Sequence, residues 1–245
     1  MDTFAKDFNS KISTKPDSIL KIDTSNQRQF MPIKNLLNQS LHGEKNISYI
    51  VVGDSKRHVV ADYPALYQSI LDQLHVNFHK NAIGGMTAKR WLSSTNIRVG
   101  FNTAIQDATG DQGERTIIEY SLGGNDYNLA KATGNNDLYG AIAPSIRKSI
   151  IDLKKALPKV KIVLVSPLGS YRKALKKLYR DISKEFDLPL IENPMDRYRD
   201  NPETKSSYFF EGSIHPNKKG AKCLVYSILY ALTDKEIHKE ISIFH

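Results

Sequence analysis

The sequence predicts an α/β chain: a three-layer α/β/α sandwich built on a mainly parallel sheet. Two observations carry this. Short β-branched runs alternate with stretches of helical period, and such alternation implies crossover connections with helices on both faces of the sheet. Several of the runs also end in glycine-rich turns, and in open parallel sheets the ligand crevice lies beyond those strand ends. With 245 residues, 40% of them hydrophobic, the chain can bury one large core.

The elements follow in order. ISYIVV, from Ile47, reads as a buried strand feeding the turn Gly53-Asp54-Ser55. Leu66, Ile70, Leu71 and Leu74 recur at helical spacing over 62–74. VNF at 76–78 is a second strand, and after Gly84-Gly85 a helix is expected over 86–94. TIIEYSL at 116–122 is a third strand, again ending at glycines. Ile142, Ile146, Ile150 and Leu153 form a helical stripe within 137–156, and KIVLVSP follows as a buried strand. A basic amphipathic helix is expected over 170–186, with Leu175, Leu178, Ile182 and Phe186 on one side. LPLIE at 188–192 is a further strand. Pro216 sits where a helix can begin, and 217–232 continue as an apolar helix. By contrast residues 1–44 are polar and weakly patterned, with short apolar groups at Ile19-Leu20 and Ile33-Leu36-Leu37. They read as an N-terminal extension or linker, and 45–245 as the main domain.

Composition narrows the function. Cys223 is the single cysteine, so no internal disulfide can form; a buried helical position is expected for it, not a nucleophilic thiol. No apolar run is long enough to span a membrane. The first residues lack a secretory signal pattern, which leaves the compartment open between the cytoplasm and a secreted or phage-particle module. The formal charge is +9, and twelve Lys and Arg residues fall between Arg147 and Lys184. Such a field suits an acidic partner, an anionic polysaccharide before a nucleic acid, because the cations are not interleaved with aromatics as on a single-strand binding surface. Solvated faces of two helices are the simpler account. His75 and His79 lie in apparent strand and do not read as metal ligands. No P-loop, dinucleotide fingerprint or zinc signature is present, so no metal or cofactor is expected.

Four short segments carry the chemistry. Ser55 follows the first strand on a tight turn, where its hydroxyl can reach the sheet rim; it needs a base to become a nucleophile. In Asn81-Ala82-Ile83-Gly84-Gly85-Met86-Thr87, paired glycines let a main-chain N–H approach a ligand. In Gly123-Gly124-Asn125-Asp126, Asn125 can donate to a developing oxyanion. His215, in Ile214-His215-Pro216-Asn217 before the last apolar helix, can act as general base. Taken alone, each of the first three is better explained as an ordinary turn or cap, and His215 as a lone surface or core histidine.

Together, in the order Ser, Gly, Asn, His, they resemble the SGNH hydrolases, also called GDSL-like esterases and lipases, over roughly residues 47–233. The resemblance implies the SGNH/flavodoxin-like form of the sandwich and a serine esterase with no cofactor. It makes Ser55 the nucleophile and His215 the base. The oxyanion hole would comprise the N–H groups of Ser55 and Gly85 and the Asn125 side chain. Asp54 and Asp126 would hold loops. The family usually has an Asp three residues before the His, and here that position is Gly212. Glu211, one residue further back, is the favoured substitute through a one-residue bulge; a main-chain carbonyl serving a Ser-His dyad is the alternative. Lys56, Arg57 and His58 replace the small residues often found after GDS and could bring positive charge to the pocket mouth.

The implied activity is hydrolysis of a short-chain acyl ester. O-acetyl groups on a carbohydrate come first, because the chain has no long apolar lid segment. Lipid or small-molecule esters are the alternative substrates. A non-catalytic carbohydrate-binding module with the same fold is the rival, supported by the missing Asp.

Overall fold

The structure is a computed structural model, and it describes residues 27–43, 46–55, 63–169 and 172–240. Lys56, Arg57, His58 and residues 1–26 lie outside the described residues.

Five parallel strands form one sheet in the order β2-β1-β3-β4-β5. They are β1 (Ile47–Gly53), β2 (Val76–Ala82), β3 (Thr116–Ser121), β4 (Lys161–Val165) and β5 (Leu190–Ile191). Strand side chains alternate between faces, and here both faces are apolar. Ile47, Tyr49, Val51, Ile117, Val163 and Val165 enter one core. Ile50, Val52, Ile118, Tyr120, Ile162 and Leu164 enter the other. This is why the strands read as continuous hydrophobic runs.

The first core is closed by α1 (Gln27–Leu41), α2 (Tyr63–Leu71) and, from the far end of the chain, α10 (Lys218–Leu232). The second is closed by α3 (Ala88–Leu92), α4 (Phe101–Gln106), α5 (Gly124–Ala132), α6 (Leu138–Ala156) and α7 (Lys173–Phe186). The short helices α8 (Asp196–Arg199) and α9 (Pro202–Tyr208) lead from β5 to α10, and α11 (Lys235–Glu240) ends the described chain. In α7 the buried positions Leu175, Leu178, Tyr179 and Ile182 fall on one stripe, as its periodicity predicts. Cys223 is buried in α10, and burial pushes its thiol up to about 12.

One boundary differs from the sequence reading. Within the supposed extension, residues 27–41 form α1, and Phe30, Ile33, Leu36 and Leu37 are buried in the first core. These residues therefore pack as part of the main domain.

The strand order positions the site. The chain leaves β1 towards β2 on one side, then crosses to β3 on the other, so a crevice opens beyond the carboxyl ends of β1 and β3. The register makes those ends level: Gly53 pairs with Ala82 on one side and with Ser121 on the other. The turns after β1, β2 and β3 thus leave the sheet from the same rung.

Candidate active site

Ser55 stands two residues beyond the end of β1 and is half-buried. Asp54, just before it, is buried and lines a small cavity with Ser121, Asn193 and Pro216, beneath the turn.

The turn after β2 is closed by the Met86 N–H donating to the Ile83 carbonyl at 3.3 Å. Gly85 adopts φ +74°, a left-handed conformation that glycine takes without a side-chain clash. A methyl group added to Gly84 would stand 3.8 Å from the Cβ of Ser55, so this turn lies against the serine. It is anchored from behind by Asn81, whose Oδ1 accepts from Trp91 Nε1 at 2.8 Å and from Gly100 N at 3.0 Å. Thr87 then caps α3, accepting from the Arg90 N–H at 3.1 Å.

Beyond β3, Gly123 has φ +107°, and a Cβ there would come within 2.6 Å of Ile146 Cδ1. Only glycine lets the chain turn so tightly against α6 and enter α5. The amide of Asn125 donates one N–H to the Met86 carbonyl at 3.0 Å. That bond fixes the side chain beside the turn carrying Gly84 and Gly85, and the amide retains a second donor. Asp126 accepts from the Ala88 N–H at 3.1 and 3.0 Å through its two oxygens, bracing α3 against α5. Its burial raises its pKa, an effect opposed by the Ala88 hydrogen bond.

His215 arrives on a narrow antiparallel ribbon. Phe209 faces Pro216 across it, flanked by hydrogen bonds from Phe210 N to His215 O (3.2 Å) and from Asn217 N to Tyr208 O (2.9 Å). Asn217 caps α10 by accepting from the Gly220 N–H at 3.0 Å, and its Nδ2 donates to the Ser207 carbonyl at 3.1 Å. Helix and ribbon are thereby locked together, with the imidazole held at the strand-end crevice.

The imidazole meets Ser55: Nε2 lies 3.1 Å from Oγ. Its other nitrogen, Nδ1, lies 3.1 Å from Ser213 Oγ. Ser213 Oγ also accepts from the His215 N–H at 3.0 Å, a turn in which a serine hydroxyl bonds the main chain two residues on. These contacts favour one tautomer. Ser213 Oγ keeps a second lone pair, which an Nδ1–H can use, and Nε2 is then the bare nitrogen facing the Ser55 hydroxyl.

The structure thus brings Ser55 and His215 into direct contact, places the Gly84-Gly85 turn beside Ser55, and ties Asn125 to that turn. It does not bring Glu211 to the imidazole. Glu211 is exposed, at the tip of the ribbon before Gly212 at φ +63°, and no ion pair joins it to His215 among the described residues. The hydroxyl of Ser213 stands at the nitrogen that Glu211, or a main-chain carbonyl, was expected to meet. Sequence reasoning passed over Ser213, although a serine two residues before the histidine is a signal for this kind of turn.

No protein-family model matches the chain, and no curated protein sequence matches it. Among solved structures, it is similar to a protein from Parabacteroides merdae assigned as a GDSL-like lipase, with 16% identity and a TM-score of 0.58 over 77% of this chain and 96% of the other. An acetyl xylan esterase, AlAXEase, is similar over 76% of this chain and 99% of its own, with 17% identity and a TM-score of 0.57. The acetylxylan esterase Axe2 of Geobacillus stearothermophilus is similar over 76% and 94%, with 14% identity and a TM-score of 0.54. The chain therefore has the fold of the SGNH, or GDSL-like, hydrolases.

Proposed function

We propose that the protein is a serine esterase that removes short acyl groups, O-acetyl groups on a carbohydrate foremost. The observation that carries this reading is the 3.1 Å approach of Ser55 Oγ and His215 Nε2, within reach for proton transfer. The carbohydrate preference is supported by the two acetylxylan esterases that share the fold.

In the first half-reaction Ser55 Oγ attacks the ester carbonyl carbon as its proton passes to Nε2. The negative charge gathering on the carbonyl oxygen is met by the N–H groups of Ser55 and Gly85 and the second N–H of Asn125. The carbon–alkoxide bond then breaks, and the proton on Nε2 goes to the departing oxygen. The products are an alcohol and an acyl group on Ser55. In the second half-reaction water attacks that acyl group, giving a proton to Nε2. The Ser55 ester bond breaks, the proton returns to Oγ, and the acid leaves. Ser213 supports the imidazolium in both halves by accepting from Nδ1–H.

Acetate release from acetylated xylan oligomers, and hydrolysis of 4-nitrophenyl acetate, test the reading against Ser55→Ala and His215→Ala. Both variants are expected to lose nearly all turnover; wild-type rates no higher than those of Ser55→Ala would refute it. The neutral partner at Nδ1 favours one other reading, a module that binds acylated glycans without cleaving them. Retention of acetylated oligomers with no acetate release would establish that instead.

A further inference from the structure

The ribbon that carries His215 also carries an aromatic ring with no place in the core. Along an antiparallel ribbon, neighbouring side chains alternate sides, and residues directly opposite one another share a side. Phe209 and Pro216 are opposite, and both are buried, Phe209 at 2% exposure. The next pair outward is Phe210 with His215, joined by Phe210 N to His215 O at 3.2 Å. Their side chains therefore share the other side of the ribbon, and Phe210 is 49% exposed. The same turn fixes both: Ser213, whose hydroxyl meets Nδ1, donates its own N–H to the Phe210 carbonyl at 3.0 Å. A half-exposed phenylalanine ring on the same side of the ribbon as the imidazole offers an apolar face to an ester bound at His215.

The chemistry says which part of an ester would cover it. His215 Nε2 must hand a proton to the departing alkoxide, so the alcohol portion lies on the imidazole's side of the carbonyl carbon. We propose that Phe210 is a specificity-determining residue that contacts the alcohol portion of the substrate, its ring packing on an apolar face such as the C–H face of a sugar ring. This rests on the hydrolase reading above.

The test varies the two halves of the ester separately. Phe210→Ala and Phe210→Tyr are compared with wild type on ethyl acetate, benzyl acetate and acetylated xylobiose, then on benzyl acetate, propionate and butyrate. Phe210→Ala is expected to lower kcat/KM about five-fold with benzyl acetate and acetylated xylobiose. The loss should be smaller with ethyl acetate and constant along the acyl series, and Phe210→Tyr should restore most of it. Equal losses for ethyl and benzyl acetate, a loss that grows with acyl length, or no loss at all would each overturn the assignment. Ser55→Ala run alongside separates the two failures. Turnover that depends on Ser55 but ignores the alcohol in Phe210→Ala sinks Phe210 alone. Wild-type turnover no faster than Ser55→Ala on every ester sinks the hydrolase reading, and Phe210 with it.

Discussion

Replacing Ser213 with alanine separates the geometry at Nδ1 from the arrangement expected by analogy. Ser213 Oγ makes two bonds to His215, one at 3.0 Å to its main-chain N–H and one at 3.1 Å to the ring. Losing the main-chain bond should cost about 1 kcal/mol of stability, which in a chain of this size lowers Tm by about 2–4 °C. The ring bond acts on rate. Between neutral groups such a bond is worth about 1 kcal/mol; it becomes a bond to a cation when Nε2 takes the Ser55 proton, worth about 1.5–3 kcal/mol. The surplus specific to the transition state is then about 1 kcal/mol, or about five-fold in kcat. An aspartate at that nitrogen in a full triad is worth about 10,000-fold. Steady-state hydrolysis of 4-nitrophenyl acetate should therefore show Ser213→Ala slowed by about five-fold and Glu211→Gln unchanged. A hundredfold loss in Glu211→Gln, with Ser213→Ala at wild-type rate, would refute this reasoning and return the orienting role to Glu211.

Three further outcomes follow from other contacts. Asn125→Ala should lower kcat by about a hundredfold or more, the usual cost of one oxyanion donor, with near-normal KM; near-full turnover would remove Asn125 from the hole. In Gly220→Ala the new Cβ would lie 2.1 Å from the Tyr208 carbonyl oxygen, forcing α10 away from the ribbon. A loss of about 1–3 kcal/mol in urea unfolding, accompanied by lost activity, is expected, and an unchanged unfolding midpoint would disprove the close packing. Asp126 supplies a pH dependence. Its folded pKa is raised above 3.8, so its contribution to stability is complete below that value and is lost as pH rises through the folded pKa. Asp126→Asn, neutral throughout and still offering an oxygen to Ala88, should gain stability relative to wild type between pH 3 and pH 7; a constant gap between the two unfolding midpoints would contradict it.

The strands were legible because burial on both faces leaves β-branched runs with few polar interruptions, Ser48 in β1 and Glu119 in β3 among them. Where that condition fails, so does the reading. VNF marked only the start of β2, because His79 and Lys80 are not buried on this edge strand; pairing with β1 nevertheless continues to Ala82. The helix α1 was hidden for a different reason. Phe30, Ile33 and Leu37 do keep helical spacing, but DTSNQRQ precedes them and Pro32 interrupts them, so local propensity argued against what tertiary burial enforces. Ser55, Gly85, Asn125 and His215 could be nominated from the sequence because each follows a strand or precedes a helix, which the sequence marks with glycine or proline. Their convergence was not legible: it comes from the level register of β1, β2 and β3 and from the Phe209–Pro216 ribbon, both long-range pairings. The partner of Nδ1 was obscured by Gly212, whose left-handed turn leaves Glu211 in solvent and Ser213 against the ring.

The same contrast between composition and placement bears on the substrate's charge. The sequence shows a basic cluster between Arg147 and Lys184, which invites a polyanion. In the fold much of that charge is already answered. Arg147 pairs with Glu185 at 2.9 Å, Lys148 with Asp152 at 2.8 Å, Lys159 with Asp111 at 2.7 Å and Lys177 with Asp181 at 2.7 Å. Arg180 pairs with Glu192 at 2.6 Å, and Lys176 with Asp196. Arg172 is fully buried, donating to the Leu168 carbonyl at 2.9 Å and to Asn128 at 3.2 Å. Such surface pairs add little to stability, but each cancels a cation that would otherwise contribute to a long-range field. A chain selected to grip a polyanion along α6 and α7 would leave those cations facing outward together; here acidic residues are interleaved with them. The contact proposed for Phe210 would recognise the alcohol portion by packing, which needs no charge on the substrate.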